Sequence, residues 1–289
     1  MTEYKKPFLT IEEQISLFEE RGLEIPDKDR ARFFLRNISY YHLSIYTKAF
    51  QSKDNIFVEG TSFEDVLDLY NFDKKLRLLL LDILERIEMS FKCTLAYDIS
   101  KDKNDNFWYA SGDSFRNNDE DIEKLLGDIK TSNEIYIKKY YENYGSPDYP
   151  PAWIFFESLT FGECVRLARN LYDRDRQTIS GFYRLPKKTA IQMFHCLSHL
   201  RNICAHHSWL WNRWFTMKIS KYKKYDDIFG DSPEQSLYSY IVAIQILLKK
   251  ISPTSKWLEK LEELIKEYNV TVYRMGFPED WIDKLKSIK

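Results

Sequence analysis

The sequence predicts an all-α fold, a multi-helix bundle, and three observations predict it. Apolar residues recur every three or four positions through the longest segments, the period of a helix with one buried face. Nine glycines and nine prolines in 289 residues leave few points where the chain must turn. Capping signatures stand ahead of several apolar runs, each a small polar residue followed three positions later by an acid or amide.

In order along the chain, "TIEEQISLFEERG" opens with Thr10 and Glu13 at capping-box spacing and closes at Gly22. "DKDRARFFLRNISYYHLSIYTKAF" reads as the next helix, with Asp27 at its N-cap. Thr61 and Glu64 repeat the box ahead of a long segment in which Leu69, Phe72, Leu76, Leu80, Ile83, Ile87 and Phe91 form one stripe. Residues 101–118 are polar and predict a loop. A helical stretch then runs to about Tyr144, where "GSPDYPP" forces a break. "AWIFFESLTFGECVRLARNLYD" and "KKTAIQMFHCLSHLRNICAHH" predict two further helices. Ser232, Pro233 and Gln235 take the N-cap, N1 and N3 positions of another. The segment "KWLEKLEELIKEY" is amphipathic, and "MGFPEDWIDKL" is expected to pack back. One domain is predicted over 1–289: N-terminal helices to residue 60, a core over 61–251, and C-terminal helices over 252–289. A boundary, if present, would fall near 101–150.

Composition narrows the function. Hydrophobic residues make up 44% and charged residues 30%, as in soluble globular proteins. A net charge of −1 excludes nucleic-acid binding by bulk charge, so any basic site must be local. The four cysteines (Cys93, Cys164, Cys196, Cys204) lack C-x-x-C spacing, and "MTEYKKPFLT" is not a signal peptide, so reduced thiols and a cytoplasmic location are expected. The most apolar run, "LRLLLLDILERI", is short and interrupted by charges, and no membrane span is predicted.

The chemistry concentrates in "LRNICAHHSWLWNRW", residues 200–214. At about 100° per residue, Asn202 and His206 share a helix face, and Arg201 points some 140° from His206. A histidine titrating near neutrality can move a proton, and a guanidinium can hold a phosphate and stabilise developing charge. Asn202 can orient either by hydrogen bonding. These are the parts metal-independent RNA cleavage needs, giving a 2′,3′-cyclic phosphate and a 5′-hydroxyl. The spacing alone is not specific. "RNISYYH" sets Arg36, Asn37 and His42 in nearly the same arrangement within an aromatic helix, where a structural role is expected.

That stretch and "YPPAWIFFESLTFGE" resemble the Abi family of bacterial abortive-infection proteins, of the AbiD/AbiF type. The likeness continues through "KPFLTIEEQISLFEERGLEI", "ISYYHLSIYTKAF", the long apolar segment and "MGFPEDW". The family's arginine-to-histidine motif is of HEPN type (higher eukaryotes and prokaryotes nucleotide-binding). The resemblance implies a HEPN-like helical core, a homodimer, and RNase activity in phage defence, with RNA as substrate, regulator, or both. Carried onto this chain, it implies Arg201, Asn202 and His206 as the catalytic set, with His207, Asn212 and Arg213 of the same block in support. A bound non-coding RNA could hold such an enzyme silent.

Other assignments compete for neighbouring residues. His195 and His199 have the spacing of zinc ligands, but their helix carries no carboxylate to complete a site; hydrogen-bonded histidines at a helix–helix contact are favoured, and no metal or cofactor is expected. Arg86 and Glu88 read first as ion pairs between helices; alternatively one of them faces Arg201 and orients it. Trp214 with Lys218, Lys221, Lys223 and Lys224 combines base-stacking surface and phosphate-binding cations, a single-stranded RNA surface, with Trp209 or Trp211 buried. Arg169, Arg174 and Arg176 form a second, less distinctive basic stretch. Three readings remain open: an RNase effector, a non-catalytic RNA-binding module forming a ribonucleoprotein, and a protein-only assembly.

Overall fold

The computed structural model describes Glu3 and residues 7–116 and 120–289. Among these the chain is helical throughout: isolated bridges such as Gln51 with Phe57 occur, and no strand does. The last two positions of the expected 101–118 loop lie outside the described residues. The chain divides into two compact units, one running to Leu76 and including Glu263–Val270, the other comprising Arg77–Glu262 and Thr271–Lys289.

The first unit holds α1 (Ile11–Glu20), α2 (Lys28–Ile38), α3 (Tyr40–Thr47) and the opening turns of α4 (Phe63–Cys93). The Thr10–Glu13 box caps α1 as its spacing predicts. The single helix expected over 27–50 is two, because Ser39 adopts φ 75° and accepts a hydrogen bond from the His42 N–H to start α3. That break also separates Arg36 and Asn37 from His42, whose ring packs on Tyr46 and Tyr70 at 6.0 and 5.9 Å. The cap of α4 is Ser62 with Asp65, one residue beyond the expected pair. Glu64 is engaged elsewhere, receiving both arms of the Arg30 guanidinium at 2.6 and 3.1 Å.

In the second unit α4 continues into a π turn over Thr94–Asp98 and then α5 (Ile99–Lys103), so helix extends into the stretch expected as loop. Every residue of the predicted α4 stripe, from Leu69 to Phe91, is buried. After α6 (Glu120–Lys130) and α7 (Ile135–Asn143), the "GSPDYPP" break precedes α8 (Ala152–Ser158). The helix expected over 152–173 is two, for a second capping box, Thr160 with Glu163, starts α9 (Phe161–Asn170). Then come α10 (Asp173–Tyr183), α11 (Lys187–Ala205), α12 (Asp226–Phe229), α13 (Leu237–Ile251), α14 (Trp257–Glu267), which belongs to this unit as far as Glu262, and α15 (Trp281–Ser287).

The core helix of this unit is α13, buried at every position from Leu237 to Leu248. Its cap is Ser236 rather than Ser232. The carbonyls of Glu234 and Gln235 accept from the Ile219 and Phe215 N–H groups, at 3.0 Å each, so these residues serve the incoming 215–219 segment instead of a helical turn. Among the described residues no helix is long and apolar enough to cross a membrane.

Candidate functional site

The site is built on α11, which packs against α9 and α10 and contacts α13. Apolar residues cover most of its circumference, from Ala190 and Ile191 through Leu200 to Cys204. What remains open is a stripe of Lys188, Gln192, His195, His199, Asn202 and His206, spaced alternately by four and three residues along one face. Most of the helix's polar side chains thus fall on one line, with Arg201 off it.

The helix stops where the motif needs it to stop. His206 is the C-cap, its N–H on the Asn202 carbonyl at 2.9 Å. The His207 N–H then reaches Cys204 O at 3.3 Å and the Ser208 N–H reaches Ile203 O at 3.1 Å, the paired bonds of a Schellman motif. His207 takes the left-handed position at φ 57°, where glycine or asparagine is usual. Asn202, His206 and His207 are consequently exposed at a rigid helix end.

Arg201 faces elsewhere, as the 140° offset dictates. Its Nε lies 3.5 Å from Oε2 of Glu88 on α4, a residue only 9% exposed. Oε1 of the same carboxylate lies 3.4 Å from Nζ of the buried Lys92. Arg201 and Glu88 line an opening of about 340 Å³ together with Asp82 and Glu85. Of the two neighbours proposed to orient Arg201, Glu88 does face it. Arg86 turns instead to Asp82 at 3.0 Å on its own helix.

Of the other two histidines of α11, His195 meets a neighbouring helix and both are partly buried. Arg169 of α9 comes within 3.4 Å of Nε2 of His195, which must accept because a guanidinium only donates. Burial, then Arg169, then His199 hold the His195 imidazole below its ordinary range. Burial and Arg213 do the same to His199. Among the described residues no group of three or more His, Cys, Asp or Glu is gathered in a metal-binding arrangement.

After the cap, the chain turns back along α11. Asn212 occupies the left-handed position of a turn closed by the Arg213 N–H on Leu210 O. The Arg213 guanidinium sits over the Trp209 ring at 4.7 Å and holds the Trp209 carbonyl at 3.0 Å. Trp211 is buried, and Trp214 is 59% exposed. Gln192 docks the returning chain, donating to the Lys218 carbonyl and accepting from the Ser220 N–H at 2.9 Å. Lys218, Lys223 and Lys224 are exposed, whereas Lys221 is spent on the Gly230 carbonyl at 2.8 Å. Reading by local spacing missed Lys188 and Gln192, although the four–three alternation they extend is present in the sequence.

A helical protein with a polar stripe ending in an exposed His pair is the class this geometry defines. Residues 33–212, more than half of the chain and including the whole of α11 and its cap, match the family model described as Abi-like protein. The chain belongs to that family, and the family points to abortive-infection defence. No curated protein and no solved structure matches it.

Proposed function

We propose that the chain is a cytoplasmic anti-phage effector in bacteria, a metal-independent endoribonuclease of HEPN type using Arg201, Asn202 and His206. One observation carries this reading: Asn202 and His206 stand in solvent at the capped end of an otherwise buried helix, and the arginine next to Asn202 is held by a buried carboxylate. In the reaction, the His206 imidazole takes the proton of an RNA 2′-hydroxyl, whose oxygen attacks the adjacent phosphorus. The bond to the 5′-oxygen breaks, that oxygen takes a proton from solvent, to which the imidazolium returns the one it accepted, and a 2′,3′-cyclic phosphate remains. Arg201 supplies positive charge to the phosphate in the transition state and Asn202 orients it. Because Arg201 and His206 diverge on one helix, a homodimer bringing Arg201 of one copy to His206 of the other completes the arrangement. A bound non-coding RNA occupying the same surface would keep the enzyme silent.

The test is cleavage of RNA by purified protein in excess chelator, with mapping of the new ends. Cyclic-phosphate ends, lost in His206→Ala while its circular dichroism and melting are unchanged, are expected. Undiminished cleavage by His206→Ala overturns the assignment.

A second reading, a non-catalytic RNA-binding module, draws on the exposed Trp214 and the Lys218, Lys223 and Lys224 side chains beyond the cap. It expects RNA to co-purify and to be released by Lys223→Glu/Lys224→Glu, with no effect of His206→Ala.

A further inference from the structure

At the opposite end of the stripe from His206 lies a cavity of about 560 Å³ between α9, α10 and the start of α11. Its lining holds Arg169, Arg176, Lys187, Lys188 and His195 against one carboxylate, Asp173. That carboxylate is already shared by Arg116, Arg176 and Lys187, the last at 3.3 Å. Three cations thus surround a single negative charge, and Arg169 and Lys188 add two more. Nε of Arg176 is buried without a hydrogen-bond partner. Like charges crowded this way repel unless an anion joins them.

The start of α11 adds to the demand. Its N-cap is Pro186, which offers no side chain to the free N–H groups of the first turn. A 19-residue helix beginning there directs the positive end of its dipole at the same place as Lys187 and Lys188. The lining holds no Phe, Tyr or Trp, and its His195 ring is engaged with Arg169. The cationic lining favours an anionic group such as a phosphate.

The cavity is also continuous with the stripe. Gln192 and His195 belong to both, and His199, Asn202 and His206 carry the same face onward for about 16 Å beyond His195. We infer that this cavity is an anchoring site for a backbone phosphate of single-stranded RNA, whose chain lies along the α11 stripe to His206. The inference rests on the RNA-directed reading above and adds to it a subsite remote from the Arg201–His206 motif. Any base preference is set by contacts along the rest of the strand.

Lys188 and Arg169 are exposed, so Lys188→Glu and Arg169→Gln keep the fold. Binding of a fluorescent oligouridine 12-mer is measured across a salt series for wild type, for this double variant and for His206→Ala, with inorganic phosphate and AMP as parallel ligands by calorimetry. The double variant is expected to bind roughly tenfold or more weakly, with its log–log salt slope reduced by about 0.7, the value for the one anchored phosphate. Its cleavage at subsaturating RNA falls in step with its weaker binding, whereas His206→Ala keeps the wild-type salt slope and does not cleave. Unchanged affinity and slope in the double variant, with wild type binding RNA, overturn the anchor and leave the RNase reading standing. AMP binding as tightly as the 12-mer overturns the strand in favour of a mononucleotide pocket. Wild type that binds no RNA overturns both.

Discussion

Replacing Glu88 with glutamine tests the link between α4 and the motif. The side chain keeps its shape and loses one charge, the charge that lies 3.4 Å from Lys92 and 3.5 Å from Arg201. At an effective dielectric near 20, each contact is worth about 5 kcal/mol of Coulomb energy before solvation is counted. Much of that is cancelled by the desolvation the carboxylate no longer suffers. Arg201, with 37% of its side chain exposed, recovers water readily. Lys92, at 10%, does not, and is left as a nearly buried cation. The net loss is therefore expected at roughly 2–4 kcal/mol, toward the lower part of the range for breaking buried pairs. Urea unfolding of Glu88→Gln against wild type reads this directly, and Glu88→Gln/Lys92→Met should recover most of it. In the RNase assay, release of Arg201 lowers kcat by up to about 100-fold with little change in KM, the signature of mispositioning. A Glu88→Gln protein within about 0.5 kcal/mol of wild type, with full kcat, would refute the argument that this carboxylate holds the arginine.

Three more predictions concern α11 and the chain that follows it. His207→Gly relieves the left-handed backbone at the Schellman position and should raise stability by about 0.5–1 kcal/mol in denaturant titration; a destabilised variant would show that the imidazole itself holds the turn. His195 and His199 are both held below the ordinary 6.5, so the folded chain takes up protons less readily than the unfolded one. Their contribution to stability is complete above pH 6.5 and is lost as pH falls below it, and His195→Gln/His199→Gln should flatten melting temperature over that window. A double variant with the wild-type pH profile contradicts this. Trp211→Ala should cost about 3–5 kcal/mol of stability, whereas Trp214→Ala should leave stability intact and cost about 1–3 kcal/mol of RNA affinity. Equal melting losses for the two would contradict the burial difference.

Features governed by neighbours in the chain were readable in advance. The Thr10–Glu13 cap and the α4 stripe from Leu69 to Phe91 depend on residues three or four apart, which one helix brings together wherever it sits. The Thr160–Glu163 box was equally local, and the apolar run around it hid the break it makes. The cap near 232–236 misled for another reason: Ser232 and Gln235 fit the helix-start pattern, but the carbonyls of Glu234 and Gln235 are claimed by Ile219 and Phe215, fifteen and twenty residues away. Ser39 gives no glycine or proline signal for its turn.

The candidate site divides along the same line. Arg201, Asn202 and His206, and the 140° that separates the first from the last, follow from helical geometry and could be named from fifteen residues. That Glu88 rather than Arg86 meets Arg201 depends on how α4 rotates against α11, which is set by the fit of two buried faces. The basic cavity depends on more distant partners still, for Arg116, Arg169, Arg176 and Lys187 converge only once α9, α10 and α11 have packed. Hydrogen bonds along one helix are written in adjacent residues; cations gathered from three helices are brought together by the burial of the apolar surface beneath them.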